Sequence, residues 1–183
     1  MDNLQSDSVL WDDPRTYMFF ATTVSLTTSC IEGSLPNVMA NEWVMSVCWD
    51  PLRILAIISK ESLTHEYILQ SKEFGINLCS MEQAHLSSYA GRTTGREVHK
   101  FSHSVFDNQF YTATHIKAPM IEGCVVNAEC ILEETIELDE YTGFIGRAVV
   151  TRVDQKQRPL IYTRSKYFFL GNQIQKTVDL NLG

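Results

Sequence analysis

A chain of 183 residues, 44% apolar and 20% charged, fits one sizeable domain with a packed core and excludes wholesale disorder. Fifteen basic against 22 acidic side chains give a net charge of −7, which speaks against a general nucleic-acid or anionic-membrane surface. No apolar run approaches the ~20 residues that cross a bilayer, and the acidic start MDNLQSDSVLWDDPR has no signal-like apolar core, so a soluble cytoplasmic protein is expected.

In chain order, residues 1–15 are polar and are expected to form an arm, with the fold occupying 16–172 and a polar tail at 173–183. MFFATTVSLTT (Met18 to Thr28) is rich in aromatic and β-branched residues and predicts a strand. After the turn residues of CIEGSLP comes NVMANEWVMSVCWDP, which alternates over Asn37 to Pro51 as one long strand. Its odd positions Met39, Trp43, Met45, Val47 and Trp49 are large and apolar. Its even positions, Ala40, Ser46 and Cys48 among them, are mostly small or polar. That pattern suits an ordinary half-buried strand. It also suits a strand whose large face enters the core while its small face and backbone seat a planar heteroaromatic ligand.

RILAIIS (Arg53 to Ser59) reads as a short strand buried on both faces. ESLTHEYILQS then switches to helical spacing, with Ser62 or Thr64 as N-cap. EFGINLC returns to strand. Capping boxes at Ser80–Gln83 and Thr94–Glu97 each predict a short helical segment. ECILEETIEL and FIGRAVVTRV flank a turn at Asp139-Glu140, and PLIYTRSKYFFLG closes the fold. Long strands, tight turns and few helices predict a mainly β fold, an antiparallel barrel with short helices.

The most informative junction is AIISKESLTHEY. A strand delivers Lys60, Ser62 and Thr64 to a helix start, where free backbone N–H groups and the positive end of the helix dipole favour an anion. The plain alternative is a simple cap with a solvated lysine. His65 could donate to the same anion, although an exposed helical histidine is the commoner case. His99 and His103 are four apart with no third ligand nearby, so no metal site is expected. Five cysteines without a C-x-x-C pair predict free thiols in a reducing compartment. Nothing resembles a Ser–His–Asp arrangement or a trusted carboxylate pair. Any chemistry would come from a cofactor, and no catalytic side chain is expected.

Six stretches in order, PNVMANEW, SVCWDPLRILAIISKESLTHEYI, EFGINLCS, GRTTGREVHKF, IEGCVVNAECIL and FIGRAVVTRVD, resemble the flavin reductase-like family, flavoredoxin type. The resemblance covers Met18 to Gly171. It implies an FMN-binding split β-barrel, homodimeric, with one FMN per subunit near the dimer interface. It implies an oxidoreductase that passes electrons from NADH or NADPH through FMN to a small-molecule or protein acceptor. An electron carrier without its own nicotinamide site is the alternative. By the same resemblance, Asn37, Val38, Met39, Ala40, Asn41 and Trp43 lie along the flavin ring, and Ser46, Val47, Cys48 and Trp49 run along ring and ribityl chain. Ser59, Lys60, Ser62, Thr64 and His65 take the phosphate, and the GRTTGRE loop closes over the site. This sequence departs from the family where Ala40 replaces a common threonine, where Asn41-Glu42 is unusually polar, and where Leu52 replaces a second proline.

Overall fold

The computed structural model describes residues 13–172, so most of the expected arm and the whole expected tail lie outside the described residues. Asp13 caps a 3-10 turn over Pro14–Phe19, accepting from Arg15 N at 2.8 Å. Proline in the first turn suits that start, because its missing N–H would be unpaired there anyway. The strand expected from Met18 therefore begins later, as β1 (Thr22–Thr23) and β2 (Ser25–Ser29).

Asn37 to Pro51 is not one strand. It divides into β3 (Asn37–Asn41) and β4 (Val44–Trp49). The break has a local cause: the Asn41 side-chain oxygen accepts from the Trp43 backbone N–H at 2.9 Å, a turn that asparagine makes readily. Next come β5 (Leu52–Ser59), α1 (Leu63–Ser71), β6 (Glu73–Leu78) and, after a 3-10 turn, α2 (Ala84–Arg92). Two short strands follow, β7 (Phe110–Tyr111) and β8 (Met120–Ile121). A long hairpin, β9 (Val126–Leu138) with β10 (Tyr141–Val153), and a small one, β11 (Leu160–Thr163) with β12 (Lys166–Phe169), complete the chain.

The main sheet runs β3-β2-β6-β9-β10-β5-β4, and its pairings are antiparallel. β3 and β4 are consecutive in the chain yet stand at its two ends. Only a sheet curled until its edges meet can satisfy both facts. The seam lies at the Asn41–Trp43 corner, where Ile57 N donates to Trp43 O at 2.9 Å and the Asn41 amide donates to Ile57 O at 3.3 Å. Further along, β3 meets α1 through one side-chain bond, Asn37 Nδ2 to Thr64 Oγ1 at 2.9 Å. The barrel is closed by contacts of this kind and not by a continuous ladder.

Its interior holds Ile54, Ile58, Ile68, Phe74, Ile76 and Phe144. A second apolar layer under α2 gathers Val24, Leu26, Val38, Leu86, Phe101 and Phe106. Along β5 only one face is fully buried (Ile54, Ala56, Ile58), while Leu55 and Ile57 are half-covered, so the expectation of burial on both faces is corrected. Ser80–Gln83 opens a helical turn as expected, with Ser80 N donating to Gln83 Oε1 at 2.9 Å. Thr94–Glu97 makes a turn and no helix, its carbonyl taking both Glu97 N and Val98 N. Among the described residues no helix is long and apolar enough to cross a membrane.

Candidate functional site

The site expected from the sequence falls at the seam, and it is built from both sides. On one side β3 supplies Asn37 to Asn41. Val38 turns into the layer beneath α2 and is fully buried, while Met39 packs on the barrel interior. Ala40 faces α2 closely enough that a Cβ on Gly91 would come within 3.3 Å of its own. Asn37 and Asn41 spend their amides on Thr64 and Ile57. These five side chains are all engaged within the chain, and of them Ala40 and Asn41 also line a cleft.

On the other side, α1 starts at Leu63 with Ser62 as its cap, the Ser62 hydroxyl accepting from His65 N at 3.1 Å. The first turn of a helix leaves further N–H groups without intrahelical partners, an anion-binding arrangement. Ser59 steadies the approach by accepting from Glu61 N at 3.3 Å. Lys60 reaches Glu137 at 2.9 Å, and both side chains are well exposed.

Two expectations here are corrected. Thr64 is fully buried, its hydroxyl oxygen accepting from Asn37 Nδ2, so it does not present its hydroxyl on the surface of the helix start. His65 is not exposed: its Nε2 pairs with Thr142 Oγ1 at 2.9 Å and its ring packs edge-on against Phe144. Burial lowers its pKa from the ordinary value, with Glu137 pulling up and Lys60 pushing down more weakly. Both side chains face inward from the first turn of α1, so Lys60, Ser62 and the backbone N–H groups are the more accessible polar groups of this corner.

The β4 residues behave differently again. Met45, Val47 and Trp49 are 57%, 46% and 92% exposed, so the large face of the expected strand does not enter the barrel. The corner at Asn41–Trp43 shifts the phase of the alternation, Val44 takes the inward place, and a bulge between Ser46 and Cys48 shifts it once more. Ser46 is exposed on this edge strand, and Cys48 is half-covered, its sulfur within 3.8 Å of Arg53 Nη1.

Two clefts meet at Glu42. One, of about 320 Å³, has Ala40, Asn41 and Glu42 on one wall and Ser87, Arg92 and Tyr162 among those opposite. The other, of about 660 Å³, is apolar, with Trp43, Val44, Met45, Ile57 and Tyr141 in its walls. Trp43 stacks edge-on against Tyr141, ring centres 5.1 Å apart. Burial raises the Glu42 carboxyl pKa.

Sequence reasoning missed Lys100. It is 3% exposed, and its ammonium donates to Val38 O at 2.8 Å and Ala90 O at 2.7 Å, tying β3 to α2. Desolvation pushes its pKa down to about 8. No spacing signal marks a buried lysine. The GRTTGRE loop packs against α1 of the same chain: Arg96 Nε donates to Glu61 O at 3.1 Å and its Nη1 meets Glu66 at 3.2 Å. At Gly95 any side chain would collide with Asn37, so the loop can approach β3 only as glycine.

The flavin reductase like domain family matches residues 17–171, spanning nearly the whole described barrel. The chain belongs to that family. It is thereby a flavin reductase-like oxidoreductase, as the sequence resemblance implied. The reductase component of the FADH2-dependent resorcinol hydroxylase of Rhizobium sp. is 24% identical over 169 residues, 91% of this chain and 90% of its own. An uncharacterized protein of Pyrococcus abyssi is 27% identical over 64% of this chain, and the match spans 66% of that relative's length. Among solved structures, flavoredoxin from Methanosarcina acetivorans superimposes with a TM-score of 0.79 at 21% identity, covering 96% of this chain and 97% of that one, a likeness of fold.

Proposed function

We propose that this member of the flavin reductase-like family binds FMN at the seam and passes hydride from NADH or NADPH to it, the reduced flavin then serving an acceptor. When bound, the flavin supplies the redox chemistry. The chain's own residues position it. The backbone of Ala40–Trp43 borders the ring, and Lys60, Ser62 and the first N–H groups of α1 hold the phosphate. Glu42, half-buried where the two clefts meet, disfavours extra negative charge on a neighbouring reduced ring.

One observation carries this reading. The Asn37–Thr64 and Trp43–Ile57 bonds bring the Asn41–Trp43 corner and an anion-attracting helix start to one seam. A flavin mononucleotide, with a planar ring at one end and a phosphate at the other, fits that pairing. FAD is the competing form, since relatives are named for FADH2-dependent chemistry. Met45, Val47, Trp49 and Leu138 are exposed apolar side chains, and that exposure supports a homodimer with the flavin beside the interface. The cytoplasm is the compartment that five free thiols suit.

Anaerobic mixing of the FMN-loaded protein with NADH, then NADPH, tests the activity. Loss of the oxidised flavin absorbance near 450 nm is the result expected. Bound flavin that neither nicotinamide bleaches would make the protein an electron carrier.

A further inference from the structure

One cleft beside the seam has no part in the flavin reading. The apolar cleft of about 660 Å³ passes from Trp43 along Ile57 to Tyr141, which pairs with Ser59, so it follows the course proposed for the flavin. The polar cleft of about 320 Å³ opens on the other side of Glu42, between β3, α2 and the β11–β12 hairpin. A narrow cleft of about 90 Å³, with Glu42, Trp43, Tyr162 and Ser165 among its walls, shares residues with both. The polar cleft carries the three kinds of group that a nucleotide engages. Tyr162 and Tyr167, ring centres 5.4 Å apart, offer flat surface to a base. Ser87, Ser88 and Ser165 offer hydroxyls to a ribose, and Ser87 is set in place by the Tyr167 hydroxyl at 3.0 Å. Arg92 offers a permanent cation. Every other arginine among the described residues is held in an ion pair or over an aromatic ring. Arg92 is in neither, in a chain of net charge −7. An uncommitted guanidinium in a concave, hydroxyl-lined place suits a phosphate.

We propose that this cleft receives the nucleotide end of the nicotinamide reductant, with Arg92 pairing one of its phosphates. This rests on the flavin reading given above and adds to it the side from which the reductant reaches the ring. At about 320 Å³ the cleft stands near the small end of ligand pockets, room for part of a dinucleotide, and the remainder extends past Glu42 toward the corner. Two phosphates carry the chemistry that Arg92 recognises. One is the diphosphate common to NADH and NADPH, and the other is the 2′-phosphate of NADPH alone. Arg92 binds and orients the reductant and has no part in the hydride step.

The test is steady-state kinetics of the FMN-loaded protein with NADPH and with NADH, on wild type, Arg92→Gln and Arg92→Lys. The FMN affinity of each protein is read in parallel by fluorescence quenching. Arg92 is exposed at the last position of α2, so the substitutions leave the fold intact. Arg92→Gln should raise KM about tenfold or more for NADPH or for both nicotinamides, with kcat carrying the smaller part of the loss. Arg92→Lys keeps the charge and should recover part of the affinity. A rise for NADPH alone identifies the 2′-phosphate, and an equal rise for both identifies the diphosphate. FMN should bind all three proteins alike. Unchanged KM for both nicotinamides in Arg92→Gln, or FMN affinity that falls in step with the KM change, would overturn the assignment and leave the flavin reading standing. Wild-type flavin that neither nicotinamide bleaches would overturn the assignment and the reductant reading together.

Discussion

Asn37–Asn41 and Val44–Trp49 are consecutive, similar in length and similar in alternation, and the fold treats them in opposite ways. β3 is paired to β2, covered by α2 on one face and by the barrel interior on the other, and pinned by Lys100 and Thr64. β4 is an edge strand that leaves Met45, Val47 and Trp49 largely in solvent. Two residues of corner separate them. Alternation describes a strand's two faces, and what lies over each face decides which is buried. Such exposure on an edge strand is the observation on which the proposed homodimer rests.

The comparison is broken most severely on the β3 side. Val38→Asp places a carboxylate in a fully buried site and should cost about 4 kcal/mol or more, read as a collapse of the urea midpoint. The matching change on β4 should spare the fold. Val47→Lys with Trp49→Lys should shift the stability of the isolated chain by no more than ~0.5 kcal/mol. The same pair should raise the dissociation constant of the proposed homodimer by about 30-fold or more in sedimentation equilibrium. Equal losses of fold stability from both sets would erase the distinction between the strands.

Asn37→Ala sharpens the comparison at the seam. It removes one bond and leaves the buried Thr64 hydroxyl alone, at about 1–3 kcal/mol, and FMN binding should weaken as the α1 start loosens. The smallest effect is that of His65. Its folded pKa lies below the ordinary 6.5, so the unfolded chain takes up the proton first as pH falls. Stability is then level above the unfolded value and declines below it until the folded pKa is passed. Urea midpoints at pH 7.5 and 5.5 should show that decline, and His65→Gln should flatten it.

Much of the fold was legible. The β9–β10 hairpin, β6 and the Ser62-capped α1 follow from period-2 runs, turn residues and a cap, all of them local signals. The junction at Lys60–Ser62 was legible for the same reason. What was not legible depends on three-dimensional company. An asparagine side chain turned one strand into two, and a shift of phase sent Trp49 outward. Thr64 and His65 face inward because Asn37 and Thr142 wait there, and Thr142 stands 77 residues away from His65. Lys100 is buried because two carbonyls receive its ammonium, a fact that no spacing records.

The most direct measurement is a crystal structure of the protein grown with FMN. The phosphate is predicted to lie against Lys60, Ser62 and the Leu63 amide, with the ring along the Ala40–Trp43 corner. A seam filled only by the protein's own side chains, with the flavin elsewhere or absent, would contradict it.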